Sequence, residues 1–349
     1  MRILVLGFTG YLGGHVAGQL RAQPGVRLSV GGRSPGAPAT GGPAGRTGRA
    51  GPVPELVADL ATVRPDRLAA GLAALAPDAV INCAGAVAGD PVRLAEVNAR
   101  GPAVLCAALR EAAPGARLVH LGSAAEYGPG APGEPVTEDA PTRPVAPYGA
   151  TKLAGTVAVT TSGLDAVVLR VGNPVGAGAP AGGLPGGLAL RLRRAGDGPD
   201  AVLRTGDLSA YRDFVDARDV ARAAVLAATA TGPLPSVLNV GGGGAVPVRE
   251  LVHGLARAAG FRGRIEEAGG DRDSARSAGV SWQCSDITAA HRALGWTPRY
   301  GLADSLADLW AATGPTGPAG TAGGAGAPDA AGAAGAGSPA ASGLVAEGT

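Results

Sequence analysis

Short apolar runs alternate with longer stretches rich in Ala and Leu along the first half of the chain. Six runs have the length and composition of strands: residues 3–6, 26–30, 55–58, 79–81, 117–121 and 166–170. Strands that alternate with helices form βαβ units, in which the crossovers are right-handed and the strands are parallel. The pattern therefore predicts an α/β fold with a doubly wound parallel sheet.

Two segments depart from this alternation. Residues 34–52 are rich in Gly and Pro, which predicts a long loop between the second and third strands. Residues 313–349 consist almost entirely of small residues and Pro. Such a segment has little apolar surface to offset the entropy cost of ordering, so we expect it to be disordered.

Composition narrows the class of protein. The 349 residues include 30 Lys and Arg against 28 Asp and Glu, and a net charge of +2 gives no reason to expect nucleic acid or a membrane as the main partner. No apolar stretch reaches the roughly 18 to 20 residues that span a bilayer, and the start MRILVLG lacks the features of a secretory signal. The cysteines have no CxxC spacing and the histidines no metal-ligand spacing. We therefore expect a cytoplasmic protein without a catalytic metal.

The glycine-rich segment after the first predicted strand has the context of a phosphate-binding turn. The strand leads into GFTGYLG and then into an apolar helix that runs through Leu20. Glycines let the backbone approach a pyrophosphate, and the helix N-terminus supplies free N–H groups. The spacing is GxxGxxG rather than GxGxxG, and its place between a strand and a helix makes it informative. We expect a Rossmann-type dinucleotide site that includes Gly7, Thr9, Gly10, Tyr11, Leu12 and Gly13.

The end of the second predicted strand bears on the choice of cofactor. NAD-specific sites carry an acidic residue there, which binds the ribose hydroxyls. This chain has Gly31, Gly32 and Arg33 instead. Without a carboxylate to repel a 2′-phosphate, the Arg33 guanidinium can pair with that phosphate. The sequence favours NADP(H) over NAD(H), although an Arg33 that faces solvent or stacks on adenine would leave the choice open.

Three residues predict the chemistry. Ser123 ends the fifth predicted strand, and Tyr148 and Lys152 are spaced i, i+4 on one face of a predicted helix. A phenol with an ordinary pKa of about 10 is a poor base, but a neighbouring ammonium stabilises the phenolate. Tyr148 can then exchange a proton with a reacting oxygen that Ser123 orients by a hydrogen bond. The alternative is an incidental YxxxK in an ordinary helix.

Motifs spread over residues 1–310 resemble those of extended short-chain dehydrogenase/reductases of the NAD-dependent epimerase/dehydratase family, which act on nucleotide sugars. They are GFTGYLG, Asp59-Leu60, NCAG at 82–85, VNARG, GSAAEYG, TEDAPTRPVAPYGATK, RVGNP, YRDFVDARDVA, LNVGGG and LGWTP. We expect an NAD(P)-binding Rossmann domain of residues 1–172 plus approximately 207–240. A smaller carboxy-terminal α/β substrate lobe would comprise approximately 173–206 and 241–312, followed by the Gly/Ala/Pro-rich tail.

The resemblance also implies roles for individual residues. Asp59 and Leu60 match contacts on the adenine side of the cofactor. The turn with Cys83, Ala84 and Gly85 matches one that lies along the cofactor, and Asn98 matches a residue that supports the central helix at the cofactor site.

On the substrate side, Asn173 and Arg212 match nucleotide-sugar contacts. Arg212 could clamp a diphosphate, or it could form a surface salt bridge. Members of the family commonly pair through two helices, so the resemblance is also compatible with a homodimer formed by the helices at 90–113 and 148–161.

Two alanines separate the candidate reactions. Family members that eliminate water carry an acid and a base directly after the Ser or Thr, where this chain has Ala124 and Ala125. Glu126 is displaced by one residue and, on a strand, should face the other way. We therefore favour reduction of a 4-keto group on a nucleotide-linked deoxysugar. A 4-epimerase that retains its NAD is the enzymatic alternative, and a non-catalytic nucleotide-sensing protein on the same fold is the alternative of another class.

Overall fold

A computed structural model describes residues 1–33, 54–267 and 279–314. A parallel seven-stranded sheet contains all six predicted strands. Its strands are β1 (Arg2–Leu6), β2 (Arg27–Gly32), β3 (Leu56–Val57), β4 (Ala79–Asn82), β5 (Arg117–Ser123), β6 (Ala166–Val171) and β10 (Val237–Val240). Their order in the sheet, β3-β2-β1-β4-β5-β6-β10, is the doubly wound Rossmann order with one further strand. The predicted fold class is confirmed, and the added strand β10 is a feature that the apolar pattern does not predict.

Helices cover both faces of this sheet. They are α1 (Tyr11–Arg21), α2 (Pro65–Leu75), α3 (Pro91–Ala95), α4 (Gly101–Ala112), α5 (Pro147–Thr160) and α7 (Ala217–Thr229). One apolar cluster joins the sheet to α1 and α7, and a second joins it to α2, α4 and α5. Strands with two covered faces read as continuous apolar runs, and every residue of β5 is indeed buried.

A third apolar cluster lies among the remaining elements. These are β7 (Asn173–Val175), β9 (Tyr211–Asp216) and β11 (Ala245–Pro247) in one sheet, β8 (Val202–Thr205) and β12 (Arg264–Glu267) in another, and the helices α6 (Leu184–Ala195), α8 (Val248–Ala258) and α10 (Leu302–Thr313). The helix α9 (Thr288–Leu294) packs instead against the first cluster, through Ala290. Leu188, Leu251 and Leu306, from α6, α8 and α10, lie in its centre and are almost fully buried.

The two segments of unusual composition lie largely outside the described residues. The predicted loop at 34–52 falls there completely, as does the predicted tail from residue 315 onward. Thr313, which composition assigned to the tail, is instead the last residue of α10, and its hydroxyl donates to the Leu309 carbonyl at 2.7 Å. Within the described ranges, no helix has both the length and the apolar character needed to cross a membrane.

Candidate active site

The glycine turn lies between β1 and β4, where the strand order reverses and where sheets of this type bind ligands. Gly7 adopts φ +75°, and a Cβ there would lie 2.7 Å from the Ala84 nitrogen. A Cβ on Gly13 would lie 2.1 Å from the Gly7 carbonyl oxygen. The turn after β4 and the first turn of α1 therefore pack directly on the backbone of the glycine turn, and side chains at these positions would not fit.

The N-terminus of α1 fits an anionic group. Its N-cap, Gly10, contributes no side-chain hydrogen bond, and the first turn contains no acidic residue. Backbone N–H groups at a helix N-terminus carry partial positive charge and bind phosphates. Tyr11 has a buried hydroxyl without a hydrogen-bond partner among the described residues, and burial raises its pKa. Thr9 is half-buried in the turn, and Leu12 packs its side chain against the core.

Arg33, Asp59 and Leu60 follow the carboxyl ends of the neighbouring strands β2 and β3. Arg33 is exposed, and Leu60 is buried. The Asp59 carboxylate accepts the Ala61 N–H at 3.0 Å and lies 3.9 Å from the Arg93 guanidinium. The structure thus gathers the residues assigned to the adenine side at one corner of the sheet.

The turn after β4 is fixed by a side chain beneath it. Asn82 accepts the Ala84 N–H through Oδ1 at 3.1 Å, and its Nδ2 lies 3.1 Å from Nδ1 of His120. Since the Asn82 oxygen is engaged by a donor, its amide nitrogen donates to the His120 ring. This pair holds Cys83, Ala84 and Gly85 against the glycine turn.

Asn98 joins this turn to the catalytic helix. It lies in a π-helical turn, Glu96–Arg100, between α3 and α4, a distortion often found at functional sites. Its amide exchanges two hydrogen bonds with the backbone of Ala86, at 2.9 and 2.8 Å. It also donates to the Thr151 hydroxyl on α5 at 3.3 Å. These contacts tie the turn after β4 to α5.

Ser123 is the last residue of β5, and its side chain begins a 3-10 turn, Ala124–Glu126. Its Oγ accepts the Ala125 N–H at 3.2 Å, which leaves the serine O–H to donate. Tyr148 is the second residue of α5, and Lys152 follows one turn later on the same face. The carboxyl end of β5 and the first turns of α5 therefore present the three predicted catalytic side chains.

Lys152 is a buried cation at the base of this site. It is 5% exposed, and its ammonium donates to the Leu121 carbonyl. Burial lowers the pKa of Lys152, while Glu126 and Cys83 act in the opposite direction. Burial and the Lys152 charge lower the pKa of His120, and burial raises the pKa of the Cys83 thiol to about 12. At neutral pH, the His120 imidazole and the Cys83 thiol, which both face Lys152, are uncharged.

Glu126 does not lie on a strand, so the sequence-based expectation of its direction is corrected. It belongs to the 3-10 turn and is completely buried. Ser123 and Glu126 form a capping box, in which the glutamate accepts the Ser123 N–H at 2.8 Å. The spacing S-x-x-E is the known signal for this motif and could have identified the contact.

Arg212 and Asn173 lie on the adjacent strands β9 and β7. Asn173 stands opposite Phe214, two residues from Arg212, and a Cβ on Gly172 would lie only 2.8 Å from the Asp213 carbonyl oxygen. This close passage brings β9 against the end of β6, the neighbour of β5. Arg212 is 7% exposed, and burial lowers its pKa. Its guanidinium donates to the Tyr211 carbonyl at 2.8 Å and takes part in none of the ion pairs between described residues.

The two alanines after Ser123 differ in environment. Ala124 is 1% exposed, whereas Ala125 is half-buried. Gln283 contacts the first of the two, since its side-chain amide donates to the Ala124 backbone carbonyl at 2.8 Å. In the described ranges, no group of three His, Cys, Asp or Glu side chains is arranged to hold a metal ion.

A doubly wound sheet with a glycine turn and an uncapped helix at its switch point is the architecture of a dinucleotide-dependent enzyme. The model of the NAD dependent epimerase/dehydratase family matches residues 3–241, and the chain belongs to this family. This result confirms the family that the motifs indicated, its Rossmann-type fold and its place among NAD(P)-dependent enzymes.

Individual relatives cover nearly the whole described chain. This chain is 37% identical over 318 residues to dTDP-6-deoxy-L-talose 4-dehydrogenase (NAD(P)(+)) of Kitasatospora kifunensis. The aligned region covers 89% of this chain and 95% of that protein. It is similar to the structure of RMD from Pseudomonas aeruginosa complexed with NADPH, with a TM-score of 0.72, 26% identity and coverage of 89% and 98%. It is also similar to UDP-glucose 4-epimerase of Thermus thermophilus in complex with NAD, with a TM-score of 0.73, 26% identity and coverage of 90% and 99%.

Proposed function

We propose that the protein interconverts a keto and a hydroxyl group at C4 of a nucleotide-linked 6-deoxysugar, with reduction as the main direction. The relative from Kitasatospora kifunensis supports this substrate class, because the similarity covers 89% of the chain. The observation in the site that carries the proposal is the Ser123 hydroxyl. It accepts a backbone N–H and so retains its own proton for a substrate oxygen at the end of β5.

Each catalytic residue has a distinct task in this reaction. NAD(P)H supplies the hydride when it is bound. Ser123 donates a hydrogen bond to the C4 carbonyl oxygen, and Tyr148 transfers its phenolic proton to that oxygen as the hydride arrives. The ammonium of Lys152 stabilises the phenolate that remains. In the reverse direction, the phenolate accepts the proton of the C4 hydroxyl.

Elimination of water is disfavoured by the residues that follow Ser123. Ala124 and Ala125 can neither abstract a proton nor protonate a leaving hydroxyl. Glu126 does not substitute for them, because its carboxylate is buried and bound to other protein groups. Reduction and epimerisation remain compatible with the site.

NADP(H) is the proposed cofactor. Arg33 is exposed at the end of β2, and the two residues before it are Gly31 and Gly32, so these positions offer no carboxylate that would repel a 2′-phosphate. The Arg33 guanidinium can form a bidentate contact with a 2′-phosphate. The RMD structure with NADPH shows that the fold accommodates this cofactor in a related protein.

The nucleotide sugar is proposed to bind between the carboxyl end of β5 and the predicted substrate lobe of residues 173–206 and 241–312. Arg212 supports this placement, since a buried guanidinium that binds a backbone carbonyl and no carboxylate among the described residues is suited to a diphosphate. Asn173 lies beside it on β7 and can contribute an amide to the same ligand.

We further propose a cytoplasmic homodimer that pairs through α4 and α5. Val157 on α5 is 51% exposed, and the outward positions Ala103 and Ala154 on these helices are small, which allows close helix packing. Three free cysteines are consistent with a reducing compartment. Light scattering coupled to size exclusion would measure the mass directly.

A retained-NAD 4-epimerase is the second candidate, and the fold match to the Thermus thermophilus epimerase favours it. Cofactor stoichiometry separates the two. The purified protein is incubated with NADPH and the 4-keto sugar derived from dTDP-6-deoxy-L-talose, with Tyr148→Phe as the control. We expect one NADPH oxidised per sugar reduced. A parallel incubation with dTDP-6-deoxy-L-talose and no added cofactor would establish the epimerase instead if it yielded the C4 epimer.

A further inference from the structure

Glu126 links three structural elements that meet at the catalytic site. Its Oε1 accepts the Ser123 N–H at 2.8 Å, at the end of β5. Its Oε2 accepts the Thr156 hydroxyl on α5 at 2.9 Å and Nε of Arg170 on β6 at 2.8 Å. Glu126 has no exposed surface, and Thr156 and Arg170 are also buried. The three donors are a backbone N–H, a buried hydroxyl and a buried guanidinium, and none of them is a proposed reacting group.

The surrounding packing is built for a carboxylate. A Cβ on Gly122 would lie 2.8 Å from Oε1 of Glu126, so a glycine leaves the space that the carboxylate occupies. Arg170 is held from the other side, with its guanidinium 4.5 Å from the centre of the Tyr127 ring. Burial works to lower the pKa of Arg170, but Tyr127 and Glu126 outweigh it and raise that pKa. The oxygens of Glu126 accept three hydrogen bonds, one of them from the Arg170 guanidinium, which is the geometry of an ion pair.

Thr156 lies one turn beyond Lys152 on the same face of α5. A carboxylate bound to both the Ser123 backbone and Thr156 fixes the separation between the end of β5 and this face of the helix. It also brings a negative charge close to Lys152, and that charge opposes the lowering of the Lys152 pKa by burial.

We propose that Glu126 is a positioning residue for this active site, which holds Ser123 and the catalytic face of α5 in register and places a negative charge near the Lys152 ammonium. The inference rests on the proposed function for its kinetic test. Ser123, Tyr148 and Lys152 cannot supply this negative charge themselves. The other groups that face Lys152 from the sheet, His120 and Cys83, are neutral at neutral pH.

The titratable groups around Lys152 come from several elements. His120 on β5 and Cys83 after β4 face it from the sheet, Glu126 from the 3-10 turn, and Tyr148 from its own helix. Arg170 and Tyr127 lie behind Glu126. Since His120 and Cys83 are neutral at neutral pH, Glu126 supplies the negative charge that favours the ammonium.

Glu126→Gln tests the proposal through the pH dependence of reduction. The assay follows NADPH oxidation by the 4-keto sugar derived from dTDP-6-deoxy-L-talose. Removal of a nearby negative charge favours loss of a proton from Lys152 or Tyr148, so we expect the first proton to leave these two groups at lower pH. We expect the alkaline limb of kcat to move down by about one pH unit. We also expect kcat to fall on the order of tenfold to a hundredfold with KM little changed, because the groups are misplaced rather than removed.

Two controls separate charge from structure. Thr156→Val removes one hydrogen bond to the carboxylate but keeps its charge, so it should leave the alkaline limb in place. Glu250→Gln makes the same chemical change on the exposed surface of α8 and should leave kcat and its pH profile unchanged. A folded Glu126→Gln variant with the wild-type limb and kcat would overturn the proposal.

Loss of folding in Glu126→Gln would be explained by the unpaired Arg170. The double variant Glu126→Gln/Arg170→Gln then removes both charges, and the alkaline limb of its kcat profile should still move to lower pH.

A substrate-free titration distinguishes this inference from the proposed function. The tyrosinate absorbance of the NADP⁺-bound protein, minus that of its Tyr148→Phe form, reports the phenol directly. Its midpoint should fall in Glu126→Gln even when the chosen sugar is not turned over, and an unchanged midpoint would contradict the role of Glu126.

Discussion

Replacing Gly7 by alanine should damage both folding and cofactor binding, and a matched glycine separates the causes. Gly7 and Gly25 have nearly the same backbone conformation, with φ of +75° and +77°. A Cβ on Gly7 would meet the Ala84 backbone at 2.7 Å, whereas a Cβ on Gly25 has no heavy atom within 4 Å. Gly25→Ala therefore measures the left-handed strain alone, and Gly7→Ala measures the strain plus the close approach.

The magnitudes follow from these two terms. A left-handed conformation costs an L-residue about 1 to 2 kcal/mol, which is the expected loss for Gly25→Ala. Ordinary contact begins at 3.4 Å, so the Ala84 backbone must retreat by about 0.7 Å in Gly7→Ala. Overpacking of this kind adds roughly 1 to 3 kcal/mol. The displaced turn is also the one that we assign to the cofactor, so NADP(H) affinity should fall in Gly7→Ala only.

Urea unfolding followed by tryptophan fluorescence gives the free energies, because Trp296 is completely buried. Enhancement of NADPH fluorescence gives the dissociation constants. If Gly7→Ala is destabilised no more than Gly25→Ala, the backbone contact with Ala84 has no energetic weight and the reasoning fails. Equal affinity of the two variants for NADPH would separately refute the assignment of this turn.

Three other substitutions test individual assignments. Tyr148→Phe should lower kcat on the order of 10²- to 10⁴-fold while the dissociation constant for NADP(H) is nearly unchanged, because only the proton transfer is lost; near-normal turnover would disprove the mechanism. Arg33→Ala should reduce the preference for NADPH over NADH by roughly 1.5 to 3 kcal/mol, the value of a charge-assisted contact, and equal wild-type affinities for the two cofactors would exclude that contact. Arg212→Ala should raise KM for the nucleotide sugar far more than it changes kcat, with Arg67→Ala on the exposed surface of α2 as the control; an unchanged KM would show that Arg212 is not a substrate contact.

Strands β1, β4 and β6 are predictable because parallel strands covered on both faces read as uninterrupted apolar runs. The glycine turn is predictable for a related reason, since its place directly after β1 and before α1 gives a short motif its context. Strand β10 is missed because four residues, VLNV, carry too weak a pattern to distinguish a strand from a loop.

The interior of the site is less accessible to sequence reasoning. Strand alternation gives the wrong direction for Glu126, because the chain leaves the strand at Ser123, where the serine side chain caps the 3-10 turn. The π-helical turn around Asn98 is hidden, because the helical periodicity on either side continues through it. The burial of Arg212 depends on the passage of β9 over Gly172, a contact between distant segments that no local pattern contains.

The contact between Gln283 and the Ala124 carbonyl limits how this active site can diverge within a family that contains both epimerases and dehydratases. An acid introduced at position 124 would enter a volume that now holds a methyl group with 1% exposure. Desolvation would raise its pKa. The Gln283 amide also binds the Ala124 carbonyl, so the backbone at this position cannot shift freely to make room for a longer side chain. Position 125 is more open. An evolutionary path from this enzyme to one that eliminates water must therefore relocate the Gln283 segment first, and the order of the substitutions matters as much as their identity.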